Sequence, residues 1–254
     1  MRDVVGMSVL VTGGGSGIGE GIARHFADLG ARVTISGRRP DKVALVADSI
    51  GEACVAVVGD VTVEADRQDM VATAVEHGGG RLDVLVNNAG NMYRSAIGEF
   101  DEQRLLDVFH SNVVGPMMLT RAAQDHLVAS RGAVIFMGSV HSQRAFPGAS
   151  PYAATKGALE TLTGVLAAEL GPAGVRVSCV RPGGVFTEIN QRAGLFDDET
   201  AKARLDSLAP AHALGRLGTP EEIAEAVAYL ARAEWTTGWV MTVDGGLGLG
   251  VTNA

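Results

Sequence analysis

The sequence of 254 residues has little cysteine and no excess of basic residues. Its two cysteines, Cys54 and Cys179, lie in apolar, strand-like runs, and this placement favours buried free thiols over a disulfide or a catalytic cysteine. The 21 lysines and arginines are outnumbered by 29 acidic residues, and no basic run offers a surface for nucleic acid or an anionic membrane. These shortages favour a small-molecule substrate and a reducing compartment.

Long apolar runs are missing as well. No uninterrupted apolar stretch approaches the roughly 18 residues of a membrane helix, and residues 1–6 lack the apolar segment of a signal peptide. We find no internal repeats and no low-complexity linker. Since 46% of the residues are hydrophobic, the chain can bury a substantial core. We therefore expect one cytoplasmic domain over residues 1–254.

Short apolar runs alternate with helical periodicity along the whole chain. Most runs are continuously apolar, which is typical of a parallel sheet covered on both faces. The predicted strands are 9–11, 32–36, 53–58, 84–86, 133–137, 175–180 and 240–243, and the predicted helices are 18–29, 41–50, 64–76, 102–129, 152–170 and 221–231. This order predicts an α/β fold, a Rossmann-like doubly wound parallel sheet of about seven strands, with ligands at the carboxyl ends of the strands.

A glycine-rich loop, Thr12-Gly13-Gly14-Gly15-Ser16-Gly17-Ile18-Gly19, follows the first predicted strand. Glycines let a bulky anion approach the backbone, and the free N–H groups and dipole of a helix start favour phosphate. We expect a nucleotide or dinucleotide here. On this motif alone, a plain turn between strand and helix is the alternative, because the glycine spacing is not the usual dinucleotide pattern.

The second predicted strand ends in Ser36-Gly37-Arg38-Arg39. A fold that binds NAD places an acidic residue near this point for the ribose 2′-hydroxyl, and Gly37 stands there instead. Arg38 and Arg39 would attract a 2′-phosphate, so the pattern favours NADP(H). The alternative is that both arginines solvate a loop before a helix.

The residues that indicate catalysis are Ser139, Tyr152 and Lys156. Tyr152 and Lys156 are four residues apart at the start of a predicted helix, so they share one face, and Ser139 follows the fifth predicted strand. A lysine ammonium favours tyrosinate and can bring a phenol of pKa about 10 into range as a general acid or base. Ser139 would hold the substrate oxygen.

Polar residues stand out at three further places, two of them after predicted strands and one within an apolar stretch of a predicted helix. Asp60 follows the third strand and is suited to accept a hydrogen bond from an adenine amino group, or to form the turn into the next helix. Asn87-Asn88-Ala89-Gly90 allows backbone to pass under a flat ligand, or is a turn. Asn112 interrupts an apolar helical stretch and needs hydrogen-bond partners.

Together these motifs resemble the short-chain dehydrogenase/reductase family over nearly the whole chain. The resemblance rests on Thr12-Gly13-x-x-x-Gly17-x-Gly19, Asp60, Asn87-Asn88-Ala89-Gly90, Asn112, Ser139, Tyr152-x-x-x-Lys156, and Pro182-Gly183 followed by Thr187. It implies hydride transfer between a nicotinamide dinucleotide and a ketone or secondary alcohol. It also implies a catalytic tetrad in which Tyr152 exchanges the proton, Ser139 steadies the substrate oxygen, Lys156 binds ribose and lowers the tyrosine pKa, and Asn112 holds a relay water.

The motifs and the resemblance also give an expected cofactor site. Relatives that use NADP often carry a basic residue in the glycine loop, where this chain has Ser16, so NAD(H) is the alternative cofactor. The expected contacts are Gly13, Ser16, Gly17, Ile18, Gly19, Arg38, Arg39, Asp60, Val61, Asn88, Ala89, Gly90, Tyr152, Lys156, Pro182, Gly183 and Thr187.

The substrate side is expected around residues 188–216, which resemble the family's substrate loop. Met92, His141, Phe146 and Phe196 are the expected lining of a mostly apolar pocket, although a loop histidine is more often a surface residue. No cysteine and histidine cluster has ligand spacing, so no catalytic metal is expected. The helix over 152–170 has small and apolar residues on a second face, which indicates a homo-oligomer, and the resemblance implies a homotetramer.

Two other functions compete with the reductase. A nucleotide-binding regulator would have kept the fold and lost part of the tetrad, and none of it is missing. An enzyme of epimerisation or dehydration would oxidise its substrate transiently, but sugar-nucleotide enzymes of that type usually have a longer C-terminal region.

Overall fold

The computed structural model describes residues 1–185, Thr187, Thr200 and 207–250, and within these residues seven parallel strands form one sheet. Their order across the sheet is β3-β2-β1-β4-β5-β6-β7. All seven predicted strands are present with ends within two residues of the prediction, which confirms the Rossmann-like fold. The strands are β1 (Ser8–Thr12), β2 (Arg32–Gly37), β3 (Cys54–Val58), β4 (Val84–Asn87), β5 (Ala133–Met137), β6 (Arg176–Pro182) and β7 (Val240–Val243).

Helices cover both faces of this sheet. Val9 and Val11 of β1 belong to one buried cluster and Leu10 to the other, because successive side chains of a strand point to opposite faces. The described α-helices are α1 (Gly17–Asp28), α2 (Pro40–Ile50), α3 (Glu64–His77), α4 (Glu102–Phe109), α5 (Gly115–Ser130), α6 (Ser150–Leu170) and α7 (Pro220–Arg232). The first cluster packs under α1, α2 and α7, and the second under α3, α5 and α6.

The predicted helix over 102–129 is helical throughout, but a π-helical turn at His110–Val114 lies between α4 and α5, which the sequence does not predict. Pro116 follows this turn and has no N–H to bond the carbonyl four residues earlier, that of Asn112. The Asn112 side chain in the turn is buried and bonds a neighbouring loop instead of solvent. Single π-turns within helices frequently mark functional positions.

The sheet reverses its winding between β1 and β4, which are neighbours in space although β2 and β3 separate them in sequence. Here Thr12 Oγ1 accepts hydrogen bonds from the backbone N–H groups of Asn88 and Ala89, both at 3.0 Å. The glycine loop and the Asn-Asn-Ala-Gly segment therefore meet at the switch point where open α/β sheets bind ligands.

Two predictions from composition can be compared with this fold. Both cysteines are buried free thiols, as predicted. Among the described residues, no helix combines the length and apolarity that crossing a membrane requires.

Candidate active site

The glycine loop is closely packed at the start of α1. Gly13 and Gly17 have φ values of 68° and 56°, in the left-handed region that disfavours side chains. A Cβ on Gly19 would lie 2.2 Å from the Gly13 carbonyl oxygen. Ser16 stands at the N-cap but makes no capping hydrogen bond with its side chain. The first N–H groups of α1 are therefore left for another acceptor, as in phosphate-binding loops.

A groove runs from this loop along the carboxyl ends of the first four strands. Three cations, Arg38, Arg39 and Lys42, line it beside Gly37. Of the expected cofactor residues, the structure places Gly13, Ser16, Ile18, Gly19, Arg38, Arg39, Asp60, Val61, Asn88, Ala89, Gly90 and Thr187 along the groove. Gly17 lies behind the loop, where its Cβ would be 3.1 Å from Thr187 Cγ2.

The two arginines are held differently. Arg38 Nη1 is 3.6 Å from Asp60 Oδ2, and Arg38 Nη2 donates to Asn91 Oδ1 at 3.2 Å. Arg39 Nη2 donates to Ser16 Oγ at 3.1 Å, so it lies against the glycine loop. Both arginines line the groove, and their role in binding a phosphate stays a prediction.

Asp60 and Asn88 also hold the loops around the groove through hydrogen bonds. Asp60 Oδ1 accepts hydrogen bonds from the N–H and hydroxyl of Thr62, which forms the turn that was one of its two predicted roles. Burial tends to raise the Asp60 pKa, but the bonds from Thr62 and the charge of Arg38 lower it overall. Asn88 Nδ2 donates to the carbonyls of Thr12 and Gly13 and so joins the two ligand loops.

A second cleft adjoins the groove and contains the predicted catalytic side chains. The two share Ile18, Asn88, Gly90 and Thr187. Ser139, Tyr152, Lys156, Pro182 and Gly183 line the second cleft. A molecule in the groove can therefore reach a molecule in the cleft at this junction.

Tyr152 and Lys156 lie on one buried face of α6. Lys156 Nζ is 5.5 Å from the centre of the Tyr152 ring and donates to the Met137 carbonyl at 2.7 Å. Burial raises the pKa of Tyr152 to about 12, against the lowering effect of a hydrogen bond with Ser139. Burial lowers the pKa of Lys156 to about 8. In the protein alone burial outweighs the hydrogen bond with Ser139, and the expected lowering of the tyrosine pKa by Lys156 stays a prediction.

Asn112 is fixed by four hydrogen bonds. Its Oδ1 accepts from the Asn91 N–H at 2.8 Å and the Ser111 hydroxyl at 3.0 Å, and its Nδ2 donates to the Asn91 carbonyl at 2.8 Å and Thr155 Oγ1 at 3.1 Å. A Cβ on Gly90 would lie 3.2 Å from Asn112 Oδ1 and 3.7 Å from Lys156 Nζ. The backbone of Gly90 therefore lies close to both the Asn112 amide and the Lys156 ammonium.

Comparison with known proteins places this geometry in a family. Residues 13–248 match the family model described as Enoyl-(Acyl carrier protein) reductase. An uncharacterized oxidoreductase of Methylorubrum extorquens is 39% identical, over 97% of this chain and 100% of the relative. The L-fucose dehydrogenase of Bos taurus is 38% identical, over 96% of this chain and 90% of the relative. The crystal structure of 3-ketoacyl-(acyl-carrier-protein) reductase from Brucella melitensis, complexed with NADH, is 32% identical with a TM-score of 0.87, over 96% and 98% of the two chains.

The chain is a short-chain dehydrogenase/reductase. It is an oxidoreductase of alcohol and carbonyl groups, as its relatives are named dehydrogenases and reductases.

The second cleft of this dehydrogenase/reductase is lined by three of the four residues predicted for the substrate pocket. Met92, His141 and Phe146 come together there, and Phe196 falls outside the described residues together with most of the predicted loop 188–216. Sequence reasoning missed Leu208 and Leu247 in the lining and gave Arg94 no specific place in it. Leucines carry no motif, and only the tertiary fold brings these two, distant in sequence, beside Ser139.

His141 is half-buried in this dehydrogenase/reductase and lines the second cleft. Its ring centre lies 4.3 Å from that of Phe146 and 5.3 Å, edge to face, from that of Tyr152. Its Nδ1 is 3.0 Å from Ser139 Oγ. Burial, with the charges of Arg94 and Lys156, lowers the His141 pKa to about 4, so the imidazole is neutral at pH 7.

Proposed function

We propose that this enzyme transfers hydride between NADP(H) and a ketone or secondary alcohol, with Tyr152 as the general acid or base. The observation that carries the proposal is the buried group of Ser139, Tyr152 and Lys156 at the junction of a dinucleotide-sized groove and a largely apolar cleft. The expected substrate is a small carbonyl or alcohol compound with an apolar body.

The residues of the groove fit a nicotinamide dinucleotide. The glycine loop has no room for side chains at Gly13 and Gly19, and the uncapped start of α1 suits the pyrophosphate. Asp60 and Val61 would hold the adenine end, whereas Asn88 to Gly90, Thr187 and Lys156 would hold the nicotinamide end. Hydride transfer is the chemistry that this cofactor supplies when bound.

The chain itself supplies the proton and its positioning. With a pKa of about 12, the Tyr152 phenol holds its proton at neutral pH, as reduction of a carbonyl requires. The Ser139 hydroxyl, which lines the same cleft as Tyr152, would donate its proton in a hydrogen bond to the same substrate oxygen. In alcohol oxidation Tyr152 must accept a proton, and the Lys156 ammonium is the nearby cation that favours the tyrosinate. Asn112, fixed at the π-turn, would support the relay towards Lys156.

The preference for NADP(H) over NAD(H) is proposed from charge. Three cations line the groove next to Gly37, where a fold specific for NAD has a carboxylate. Arg38 lies beside Asp60 and Arg39 beside Ser16 of the glycine loop, and a guanidinium at either place can donate charge-assisted hydrogen bonds to a 2′-phosphate. NAD(H) is the second candidate, because the Brucella melitensis relative is complexed with NADH.

We expect the purified enzyme to bind NADPH at least tenfold more tightly than NADH in a fluorescence titration. A charge-assisted hydrogen bond contributes about 1.5–3 kcal/mol, so Arg39→Ala and Arg38→Ala should each weaken NADPH roughly tenfold or more and leave NADH nearly unchanged. Arg24→Ala is the control, because it removes a positive charge paired with Glu20 on α1, outside the groove. Equal or tighter NADH binding by the unmodified enzyme would contradict the proposed preference.

We also propose a homotetramer that uses α6. Val165 of α6 is 50% exposed, and a Cβ on Gly157 or Gly164 would meet no atom within 4 Å. Helix α6 packs beside α4 and the π-turn, where Leu106 and Val114 are exposed as well. Small residues allow helices to approach closely, so a second copy of the chain fits this apolar surface.

Val165→Glu should shift the enzyme to a smaller assembly in light scattering coupled to gel filtration. The introduced carboxylates would be buried without partners in a symmetric contact, which is strongly unfavourable. Val63→Glu is the matched control, since Val63 is 45% exposed before α3, on another part of the chain. A monomeric mass for the unmodified enzyme would remove the oligomer proposal, and an unchanged mass for Val165→Glu would remove α6 from the interface.

A cytoplasmic location stays a prediction from composition.

A further inference from the structure

We propose that His141 is a positioning residue whose Nδ1–H donates to Ser139 Oγ, so that the Ser139 hydroxyl proton points to the substrate oxygen. The effect of His141 on the reaction rests on the proposed function, whereas the position of its imidazole proton can be measured without any substrate. The proposal therefore has one test that needs activity and one that does not.

The hydrogen-bonding capacity of Ser139 carries the argument. A serine hydroxyl donates one hydrogen bond and accepts two. The His141 backbone N–H lies 3.3 Å from Ser139 Oγ and can only donate, so it fills one acceptor position. His141 Nδ1 lies 3.0 Å from the same oxygen. If Nδ1 carries the proton, His141 fills both acceptor positions, and the one remaining capacity of Ser139 is its own proton.

With the opposite tautomer, the Ser139 hydroxyl could not donate its proton to the substrate. If Nδ1 were unprotonated, the Ser139 proton would be donated to the imidazole and would no longer be available to a substrate oxygen. Two donors on one hydroxyl oxygen also polarise its O–H bond and make it a stronger donor.

The surroundings of His141 restrict both the position of its ring and its charge state. The ring lies against Phe146 on one side and the edge of Tyr152 on the other, so it is held in place beside Ser139. The charges of Arg94 and Lys156 together with burial keep the imidazole neutral. A neutral imidazole has one N–H, and its two nitrogens then differ in role. We assign that single proton to Nδ1, because only this tautomer leaves the Ser139 proton for the substrate oxygen.

The direct test is the tautomer of His141 in solution. Long-range ¹H–¹⁵N correlation spectra at pH 7 of the full chain, labelled with ¹⁵N-histidine, would contain the ring nitrogens of six histidines. The signals that disappear in His141→Asn belong to His141. We expect a protonated Nδ1 and an unprotonated Nε2. A protonated Nε2, or both nitrogens protonated, would overturn the proposal.

The kinetic test uses two variants of similar size. The amide nitrogen of asparagine can occupy the place of Nδ1, whereas leucine cannot donate, so His141→Asn should keep kcat within about threefold and His141→Leu should lower it at least tenfold. KM for NADPH should change in neither variant. His141→Leu combined with Ser139→Ala should be no slower than Ser139→Ala alone, because the histidine acts through the serine.

Independent, multiplying losses in the double variant would overturn the positioning role, as would equal losses in His141→Asn and His141→Leu. If the unmodified enzyme turned over no carbonyl or alcohol compound, the proposed function would fail. The nitrogen spectra would still decide the proton position in that case.

Discussion

Tyr152→Phe is expected to lower kcat/KM for carbonyl reduction by about 10³-fold, within the range of roughly 10²–10⁴ that general acid–base catalysis contributes. The phenol is buried beside Ser139 and Lys156, so removal of its oxygen takes away the proton that the substrate oxygen must receive. The measurement is the rate of NADPH oxidation with a panel of ketones, followed by absorbance, for the variant and the unmodified enzyme.

Cofactor binding is the control for this variant. Phenylalanine keeps the ring of Tyr152 in the second cleft and removes only its hydroxyl, so the variant should bind NADPH with a dissociation constant within about threefold of the unmodified enzyme. Ser139→Ala should also bind NADPH and lose activity, by about 10²-fold if Ser139 supplies one hydrogen bond to the developing charge. Full turnover by Tyr152→Phe would contradict the assignment of the proton donor, and failure to bind NADPH would show that the variant had altered more than the proton.

Local patterns in the sequence were enough to predict the sheet. Each strand is a short apolar run that ends in glycine or polar residues, and a parallel sheet buried on both faces needs such runs. The motif residues on the strand ends were predicted for the same reason, because parallel strands bring their carboxyl ends to one edge. Thr12 and Asn88 illustrate this, since 76 residues separate them and a 3.0 Å hydrogen bond joins them.

Features that depend on tertiary contacts could not be predicted in this way. The π-turn at His110–Val114 lies in a stretch whose periodicity is helical throughout, and the bonds between Asn112 and Asn91 that hold it cross from another element. The Tyr152 pKa was predicted from the spacing to Lys156, but burial by neighbouring elements decides its direction. His141 lines the second cleft together with Met92 and Phe146, whereas its contact with Ser139 depends on the turn at Val140–Ser142, which the sequence does not predict.

Gly19→Ala is the second substitution with a large expected effect. Its Cβ would lie 2.2 Å from the Gly13 carbonyl oxygen and 2.5 Å from Asn88 Nδ2, closer than any packed side chain can remain. Since the first of these atoms belongs to the backbone, α1 must move away from the β1 loop. Overpacking of this kind costs about 3 kcal/mol, so the free energy of unfolding by urea should fall by about that amount.

The same shift should weaken NADPH by about a hundredfold or more, because the Gly13 to Gly19 loop would no longer present its N–H groups in one place. Gly98→Ala is the matched control: Gly98 lies in the exposed helical turn Ile97–Glu99, has no positive φ and has open space around its Cβ. There the same methyl group should change stability by no more than about 1 kcal/mol, and in the stabilising direction, because alanine reduces the freedom of the unfolded chain. Unfolding at one fixed protein concentration keeps any assembly effect equal in both variants. If Gly19→Ala bound NADPH normally, the close packing of the glycine loop would not be a condition of cofactor binding, and the groove would have to hold the pyrophosphate by its cations alone.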